Sequence, residues 1–149
     1  KLLRALSRTV EGGHQVSLVL LGEGPLRLEL EAQVRELHLE NHVYFAGQRE
    51  NPFPALSAAD CFVLPSNHEG QPMVLLEAML LGKQIIATNI PGSRQVLWEN
   101  PEFVVDNSVS GLTHGMVYVV EGRLPSEPVF DIELYRKAAF EGFFRACAL

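Results

Sequence analysis

Short apolar runs, separated by stretches with helical spacing, are the feature that most restricts the fold of this chain. Val16–Leu21 ("VSLVLL") is an apolar run, and the runs that begin at Val43, Cys61 and Gln84 follow the same pattern. A run of this kind is typical of a strand that is buried on both faces. Strands that alternate with helices form a parallel sheet. The sequence therefore predicts an α/β, Rossmann-like parallel sheet with helices on both faces, in a single domain over residues 1–149.

Apolar residues at helical spacing predict the helices between these strands. Leu2, Leu3, Leu6 and Val10 predict a first helix. Gly82 lies at a position that is typical of the glycine after a helix C-terminus. A short strand is predicted near Phe103, and further helices are predicted over residues 26–37, 53–59, 71–81, 110–120 and 130–147.

Charge and composition exclude several classes of partner. The formal net charge is −6 and the 12 Lys and Arg residues form no cluster, which excludes a nucleic-acid or anionic-membrane surface. No apolar run is long enough to cross a bilayer, and the N-terminal stretch lacks the features of a signal peptide. Cys61 and Cys147 are too few for a disulfide framework. These observations favour a reducing, cytoplasmic setting.

The polar and glycine-rich segments all follow predicted strands. They are residues 22–24, Gly47, residues 66–70 and residues 89–92. Open parallel sheets bind ligands at the carboxyl ends of their strands. The sequence therefore predicts a ligand site at that edge of the sheet.

Two glutamates stand out in the stretch "HEGQPMVLLEAML", which runs from His68 to Leu80. Glu77 lies inside an apolar helix, where a lone carboxylate is costly unless a partner satisfies it. With a helix start near Gln71, Glu77 lies roughly 10 Å along the axis from Gly70. The free N–H groups at the helix start favour an anion, and carboxylates suit hydroxyl groups. From spacing alone, two interpretations are equally supported. In the first, the two glutamates flank a diphosphate that has a sugar at each end. In the second, Glu69 is solvated and Glu77 forms an ion pair.

The longer stretch "PSNHEGQPMVLLEAMLLGKQIIAT" resembles the signature of retaining, nucleotide-sugar-dependent glycosyltransferases of the GT-B fold, the large group 1 family. Five features coincide in order, namely Pro-Ser, Glu-Gly, Leu-Leu-Glu-Ala-Met, Gly-Lys and Ala-Thr. The resemblance extends back through "LVLLGEGPLR" and "VYFAGQ" and forward through "IPGSRQVL" to "VVDNSVSGL", and it weakens after about Leu112. It implies one half of a GT-B fold.

The resemblance also implies roles for individual residues. Glu69 would be the catalytic-site residue that contacts hydroxyls of the transferred sugar, and Glu77 would bind the ribose hydroxyls. The base edge would be read near Gly47 and Gln48. Backbone groups of Gly70, Gln71, Pro72 and Met73 would contact the sugar and diphosphate. The turn with Gly22 and Gly24 would line the donor cleft.

By the same resemblance, the reaction transfers a hexose-type sugar with retention of configuration and uses neither a metal nor another cofactor. The nucleoside diphosphate sugar is the co-substrate. Many members of the family build cell-surface polysaccharides, which favours an envelope polymer as the product. The identity of the base, sugar and acceptor, the oligomeric state and the role of residues 122–149 are not encoded in any motif found here.

Several parts of the family pattern are absent from the sequence. An Arg and a Lys that grip the donor diphosphate normally precede the first helix, and Lys1 is too close to the helix for that role. The strand before that loop and the N-terminal acceptor-binding domain are absent as well. We therefore expect a domain truncated at its N-terminus, from a parent enzyme located in the cytoplasm or at the inner face of the membrane.

A truncated donor domain has testable consequences. We expect negligible transferase turnover from the purified chain, because acceptor contacts and the Arg/Lys pair are missing; robust turnover would contradict this. Homo-association is also expected if Phe140, Phe143 and Phe144 are uncovered.

Two other functions are compatible with the same fold. A sugar-nucleotide epimerase can share the fold, and a non-catalytic nucleotide-sugar module would retain the same cleft. His68 is interpreted as a loop residue and Arg49 as a surface charge, while Lys83 is kept as a candidate phosphate contact. The histidines show no metal-ligand spacing.

Overall fold

The computed structural model describes residues 1–133 and residue 135. Its helices and strands alternate along the chain, which confirms the predicted α/β pattern. The elements in order are α1 (Leu2–Glu11), β1 (Leu18–Leu21), α2 (Arg27–Glu36), β2 (Val43–Gly47), α3 (Phe53–Ala58), β3 (Cys61–Leu64), α4 (Met73–Leu80), β4 (Gln84–Thr88), α5 (Pro91–Val96), a short 3₁₀ helix (Pro101–Phe103), β5 (Val104–Val105) and α6 (Val109–Val120).

The strands form two parallel sheets among the described residues, where the sequence predicted one. Strand β1 pairs with β2, so that Leu18 lies opposite Val43. Strand β4 lies between β3 and β5 in the second sheet. No hydrogen-bonded pairing joins β1 to β3 in the part of the chain that the structure describes. Among the described residues, the edge of β1 that faces away from β2 and the edge of β3 that faces away from β4 are therefore unpaired.

Helices cover both faces of the second sheet. Successive residues of β4 separate the two layers, since Ile86 packs in one buried cluster and Ile85 and Ala87 in the other. We call the first the α1–α6 cluster, after buried Leu6 and Met116, and it also includes residues from the first sheet. The second, which we call the α4–α5 cluster, contains buried residues of α3, α4 and α5 together with Phe103.

The first sheet is covered on one face, which corrects the prediction that Val16–Leu21 is buried on both faces. Leu18 and Val43 pack against the α1–α6 cluster. Their neighbours point the other way, so that Val19 is 52% exposed and Tyr44 is 63% exposed. Residues that alternate along a strand lie on opposite faces, and within the described residues no helix packs over this second face. The run therefore contains apolar side chains that the described residues leave exposed to solvent.

Helix α4 begins two positions later than the sequence predicts. Pro72 is its N-cap, with extended backbone angles of φ −73° and ψ 90°, so Gln71 and Pro72 precede the first turn. Both ends of the helix are open to solvent, because Met73 and Leu80 are exposed. Gly82 has a φ of 61°, which confirms the prediction of a glycine after the helix end.

The C-terminal prediction lies mostly outside the described residues. The predicted helix over residues 130–147 and the aromatic residues Phe140, Phe143 and Phe144 belong to this part, as does Cys147. Among the residues that the structure describes, no helix has the length and apolar character needed to cross a membrane.

Candidate functional site

The loop that carries Glu69 is held by the end of β4. The buried hydroxyl of Thr88 donates to the carbonyl oxygen of Ser66 at 2.5 Å. The Ser66 hydroxyl in turn donates to Oε1 of Glu69 at 2.7 Å. Two hydrogen bonds thus connect the last residue of a buried strand to the carboxylate. Because Thr88 is fully buried at the end of the central strand, these bonds define the position of the half-buried Glu69 at the carboxyl edge of the sheet.

Gly92 packs directly beneath the same loop. A Cβ atom at Gly92 would lie 2.6 Å from the carbonyl oxygen of Glu69 and 2.7 Å from that of Gly70. A real Cβ atom does not come this close to a carbonyl oxygen, so only glycine allows helix α5 to approach the loop at this distance. The close approach fixes the Glu69–Gly70 backbone from below, as the hydroxyl of Ser66 fixes the side chain.

The start of α4 presents free backbone N–H groups. The helix has no side-chain cap. Among the described residues, the N–H groups of Gly70, Gln71 and Met73 make no hydrogen bond. Leu75 N–H reaches the carbonyl of Pro72 at 3.0 Å and closes the first turn. Unpaired N–H groups at a helix N-terminus, with the positive end of the helix dipole behind them, are suited to an anion.

Glu77 lies one turn further along α4 and is half-buried. The ion pairs found among the described residues join Arg27 to Glu23 and Glu31, and Arg123 to Glu121. None of them involves Glu77, and no described residue donates a hydrogen bond to its side-chain carboxylate. The interpretation of Glu77 as half of a buried ion pair therefore has no support in the described part of the chain.

The glycine turns after β1 and β2 form a second group at the carboxyl ends of the strands. Gly22 N–H donates to the carbonyl of Gly47 at 2.8 Å, and both glycines have positive φ, 117° and 69°. Gly22 also borders a cavity of about 240 Å³, which is lined by residues of the first sheet, by Glu23 and Gly24 of the turn and by Arg27 of α2. Gln48 follows β2 and is exposed.

The structure thus arranges the predicted site residues in two groups. Glu69, Gly70, Gln71, Pro72, Met73 and Glu77 surround the N-terminal half of α4, whereas Gly22, Gly24, Gly47 and Gln48 lie at the end of the first sheet. Among the described residues, no hydrogen bond or ion pair joins the two groups.

Three weaker candidates have other surroundings. Lys83 donates to the carbonyl of Ser57 at 2.5 Å, so its ammonium group already has a structural partner. Burial raises the pKa of the Cys61 thiol to about 12, with nearby Asp60 adding to the shift. This thiol is therefore protonated at neutral pH and cannot serve as a thiolate nucleophile. His68 is exposed.

The described residues also contain no group of three or more His, Cys, Asp and Glu side chains placed to hold a metal ion.

Sequence reasoning gave Thr88 no role. It placed Gly92 at the ligand edge without the close contact to the loop, and it considered Lys1 only as a diphosphate contact. Lys1 Nζ donates to Oδ1 of Asn67 at 2.5 Å and also to the side chain of Asn107. The start of α1 thus lies at the carboxyl edge of the second sheet. A small hydroxyl residue at a strand end and a glycine inside a helix are weak local signals, because their importance depends on contacts with a distant segment.

Comparison with known proteins gives consistent matches. A model of the family described as "Glycosyl transferases group 1" matches residues 1–121. An uncharacterized glycosyltransferase of Methanocaldococcus jannaschii is 34% identical over 109 residues, which are 72% of this chain and 26% of that protein. The lipopolysaccharide core biosynthesis glycosyltransferase LpsD of Rhizobium meliloti is 37% identical over 102 residues, 68% of this chain and 30% of LpsD. The chain thus spans less than a third of either relative.

Solved structures have the same fold. Anabaena HepE, in complex with UDP and glucose, is 26% identical with a TM-score of 0.72 over 85% of this chain and 36% of HepE. Sucrose-phosphate synthase from Thermosynechococcus elongatus is 24% identical with a TM-score of 0.71 and covers 98% of this chain and 43% of its own. These structures confirm the prediction of a Rossmann-like α/β fold.

Proposed function

This chain belongs to the group 1 glycosyl transferases, and from that premise we propose that it is the donor-binding half of a longer, retaining transferase with a GT-B fold. The observation that carries the proposal is the arrangement around α4. Glu69 is held by Ser66, the helix start has free N–H groups, and Glu77 is a half-buried carboxylate without a described partner.

Each part of this arrangement has a chemical role in the proposal. Glu69 accepts hydrogen bonds from hydroxyls of the transferred sugar and orients its anomeric carbon toward the acceptor. The N–H groups of Gly70, Gln71 and Met73 bind the diphosphate and stabilise its charge as the sugar departs. These groups and the helix dipole offset part of that charge. In this proposal the Arg and Lys that precede the first helix in the family offset the rest in the parent protein, so that the reaction needs no metal.

The nucleoside occupies the rest of the proposed site. Glu77 accepts hydrogen bonds from the two ribose hydroxyls, which also supply the partners that a half-buried carboxylate needs. Backbone groups near Gly47 and Gln48 contact the base edge, and Gly22 and Gly24 leave room for the donor beside the first sheet. HepE was solved with UDP and glucose, so uridine is the first base to test.

The unpaired edges of β1 and β3 support the proposal that the complete domain contains one more strand. Strands that are parallel and consecutive are joined by right-handed crossovers through a helix, and α1 is such a helix before β1. Its start lies at the carboxyl edge, next to Asn67 and Asn107. A strand placed between the two sheets would end at this edge, pair with both of them and lead directly into α1.

The parent protein supplies that strand and the acceptor-binding domain in this proposal. The acceptor then binds across the cleft from α4. The relative LpsD is described as a lipopolysaccharide core biosynthesis enzyme, which makes an envelope saccharide the acceptor class to examine first. When the chain is isolated, the exposed apolar face around Val19 and Tyr44 favours self-association.

Replacing Glu77 by leucine in the parent protein tests the nucleoside site. Leucine has a similar size but accepts no hydrogen bond, so UDP affinity is expected to fall about 10- to 100-fold, the usual range for hydrogen bonds to a charged group. Affinity for 2′,3′-dideoxy-UDP, which lacks both hydroxyls, should change little. Isothermal titration calorimetry with the two nucleotides measures the difference.

Glu36→Gln is the matched control, because Glu36 is an exposed helical glutamate on α2. It should bind both nucleotides as the unmodified protein does. An equal loss of both nucleotides in Glu77→Leu would show that Glu77 does not contact the ribose. Absence of nucleotide binding by the unmodified parent would contradict the proposed function as a whole.

A further inference from the structure

Residues 122–133 and 135 run past the region matched by the family model and have no role in the proposed mechanism. We call these residues the C-terminal strap. The strap crosses the α4–α5 cluster, against which Leu124, Phe130 and Tyr135 pack. It thereby covers the same layer that contains the core of helix α4.

Two amide side chains fasten the strap to the domain. Asn100 is 1% exposed, and its side chain donates to the carbonyl of Val129 at 2.8 Å and accepts from the N–H of Val129 at 2.7 Å. Gln84 Nε2 reaches the carbonyl oxygens of Leu124 and Pro125. A buried amide that lost both partners would cost free energy, so the strap is an integral part of the fold.

The end of the strap reaches the start of α4. Gln71 Nε2 donates to the hydroxyl of Tyr135 at 2.8 Å. The Tyr135 ring also lies 5.9 Å from the ring of Phe130, centroid to centroid, and the two rings are packed on the buried cluster. These ring contacts restrict the rotation of the Tyr135 side chain and so fix the position of its hydroxyl.

The Gly70–Gln71 segment has few other restraints. A Cβ at Gly70 would meet no heavy atom within 4 Å, and the helix that follows has no side-chain cap. Below the segment lies Gly92, which contacts the carbonyls of Glu69 and Gly70. The hydrogen bond from Gln71 to Tyr135 is the restraint on its outer side among the described residues.

We propose that Tyr135 is a positioning residue of the donor site, which holds Gln71 so that the N–H groups at the start of α4 stay aimed at the diphosphate. This inference rests on the proposed function. It assigns a role to a segment beyond residue 121, where the family model ends. Tyr135 acts through Gln71 and makes no contact with the reacting atoms in this proposal.

Tyr135→Phe in the parent protein removes the hydroxyl and keeps the ring that packs on Phe130. We expect KM for the nucleotide-sugar donor to rise about three- to tenfold, the factor associated with one net hydrogen bond. The kcat value and the melting temperature should stay close to those of the unmodified protein, since Tyr135 does not contact the reacting atoms and the packing of its ring on Phe130 is kept. Gln71→Ala should raise KM similarly, and the double variant should be no worse than either single one.

A second measurement does not depend on the donor. Hydrogen–deuterium exchange of the amides from residue 70 to 75 should be faster in Tyr135→Phe, with exchange in β4 unchanged. Tyr118→Phe is the matched control, because Tyr118 lies on α6 and its ring contacts the guanidinium of Arg123 and not Gln71. The control should leave both the donor KM and the exchange at residues 70–75 unaltered.

The outcomes separate this inference from the proposed function. Unchanged KM and unchanged exchange in Tyr135→Phe would overturn the positioning role, even if Glu77→Leu behaves as expected at the nucleoside site. A rise in KM that Tyr118→Phe reproduces would also overturn it. If the unmodified parent binds no nucleoside diphosphate, the proposed function fails and the positioning role fails with it.

Discussion

Replacing Glu69 by alanine in the parent transferase is expected to lower kcat by a factor of about 10² to 10³, the usual loss for a group that stabilises the transition state. Glu69 is held by the Ser66 hydroxyl at 2.7 Å, so it occupies its place before the sugar arrives. Alanine leaves the sugar hydroxyls without this acceptor. Nucleotide binding should survive, because the N–H groups of α4 and the carboxylate of Glu77 are unchanged.

Steady-state kinetics and calorimetry with UDP separate the two effects of this substitution. Ser66→Ala is the matched control, since it removes the hydrogen bond to Glu69 and leaves the carboxylate. It should lower kcat by a much smaller factor. Near-normal transfer by Glu69→Ala would exclude Glu69 from the catalytic site and would favour a nucleotide-sugar binding module without its own catalysis.

Gly92→Ala should disrupt the site through its backbone. Two effects on the free energy of unfolding oppose each other. The first is stabilising, because alanine is favoured over glycine within a helix by about 1 kcal/mol. The new Cβ would, however, lie 2.6 Å and 2.7 Å from the carbonyl oxygens of Glu69 and Gly70. A clash with backbone cannot be relieved by a side-chain rotation. We expect the free energy of unfolding to fall by about 1–3 kcal/mol, as for overpacked sites.

The same clash should weaken donor binding more than tenfold, because it moves the loop that carries Glu69. Chemical denaturation and calorimetry measure the two effects. For stability, Gly24→Ala is the control, because a Cβ at Gly24 would meet no heavy atom within 4 Å. A Gly92→Ala protein as stable as the unmodified one, with normal donor affinity, would contradict the close packing of α5 beneath the loop.

Most of the secondary structure could be predicted from the sequence. Strand β4 occupies Gln84–Thr88 as predicted, and α6 begins within one residue of its expected start. These elements are long enough, and periodic enough, for local spacing to define them. The start of α4 was misplaced because Pro72 adopts an extended ψ of 90°, and proline is compatible with both a first helical turn and the residue before it.

Only part of the candidate site could be predicted from the sequence. Glu69 and Glu77 are recognisable because a carboxylate in or beside an apolar helix is a local anomaly, and a family signature surrounds them. Nothing in the spacing indicates that Thr88 holds Ser66 or that Gly92 lies under Glu69. The residues in these pairs are about twenty positions apart, and each looks ordinary beside its own neighbours.

The alternation of strands and helices, the position of the glutamate pair and the similarity to a family could all be recognised in the amino-acid sequence. Each of these depends on residues close together in the chain, where periodicity and motif spacing carry the information. The division into two sheets, the open face of β1 and β2, and the hydrogen bond between Gln71 and Tyr135 became visible only in the folded chain. These depend on which surfaces pack together, because burial and hydrogen bonding between distant segments act only once the chain has folded.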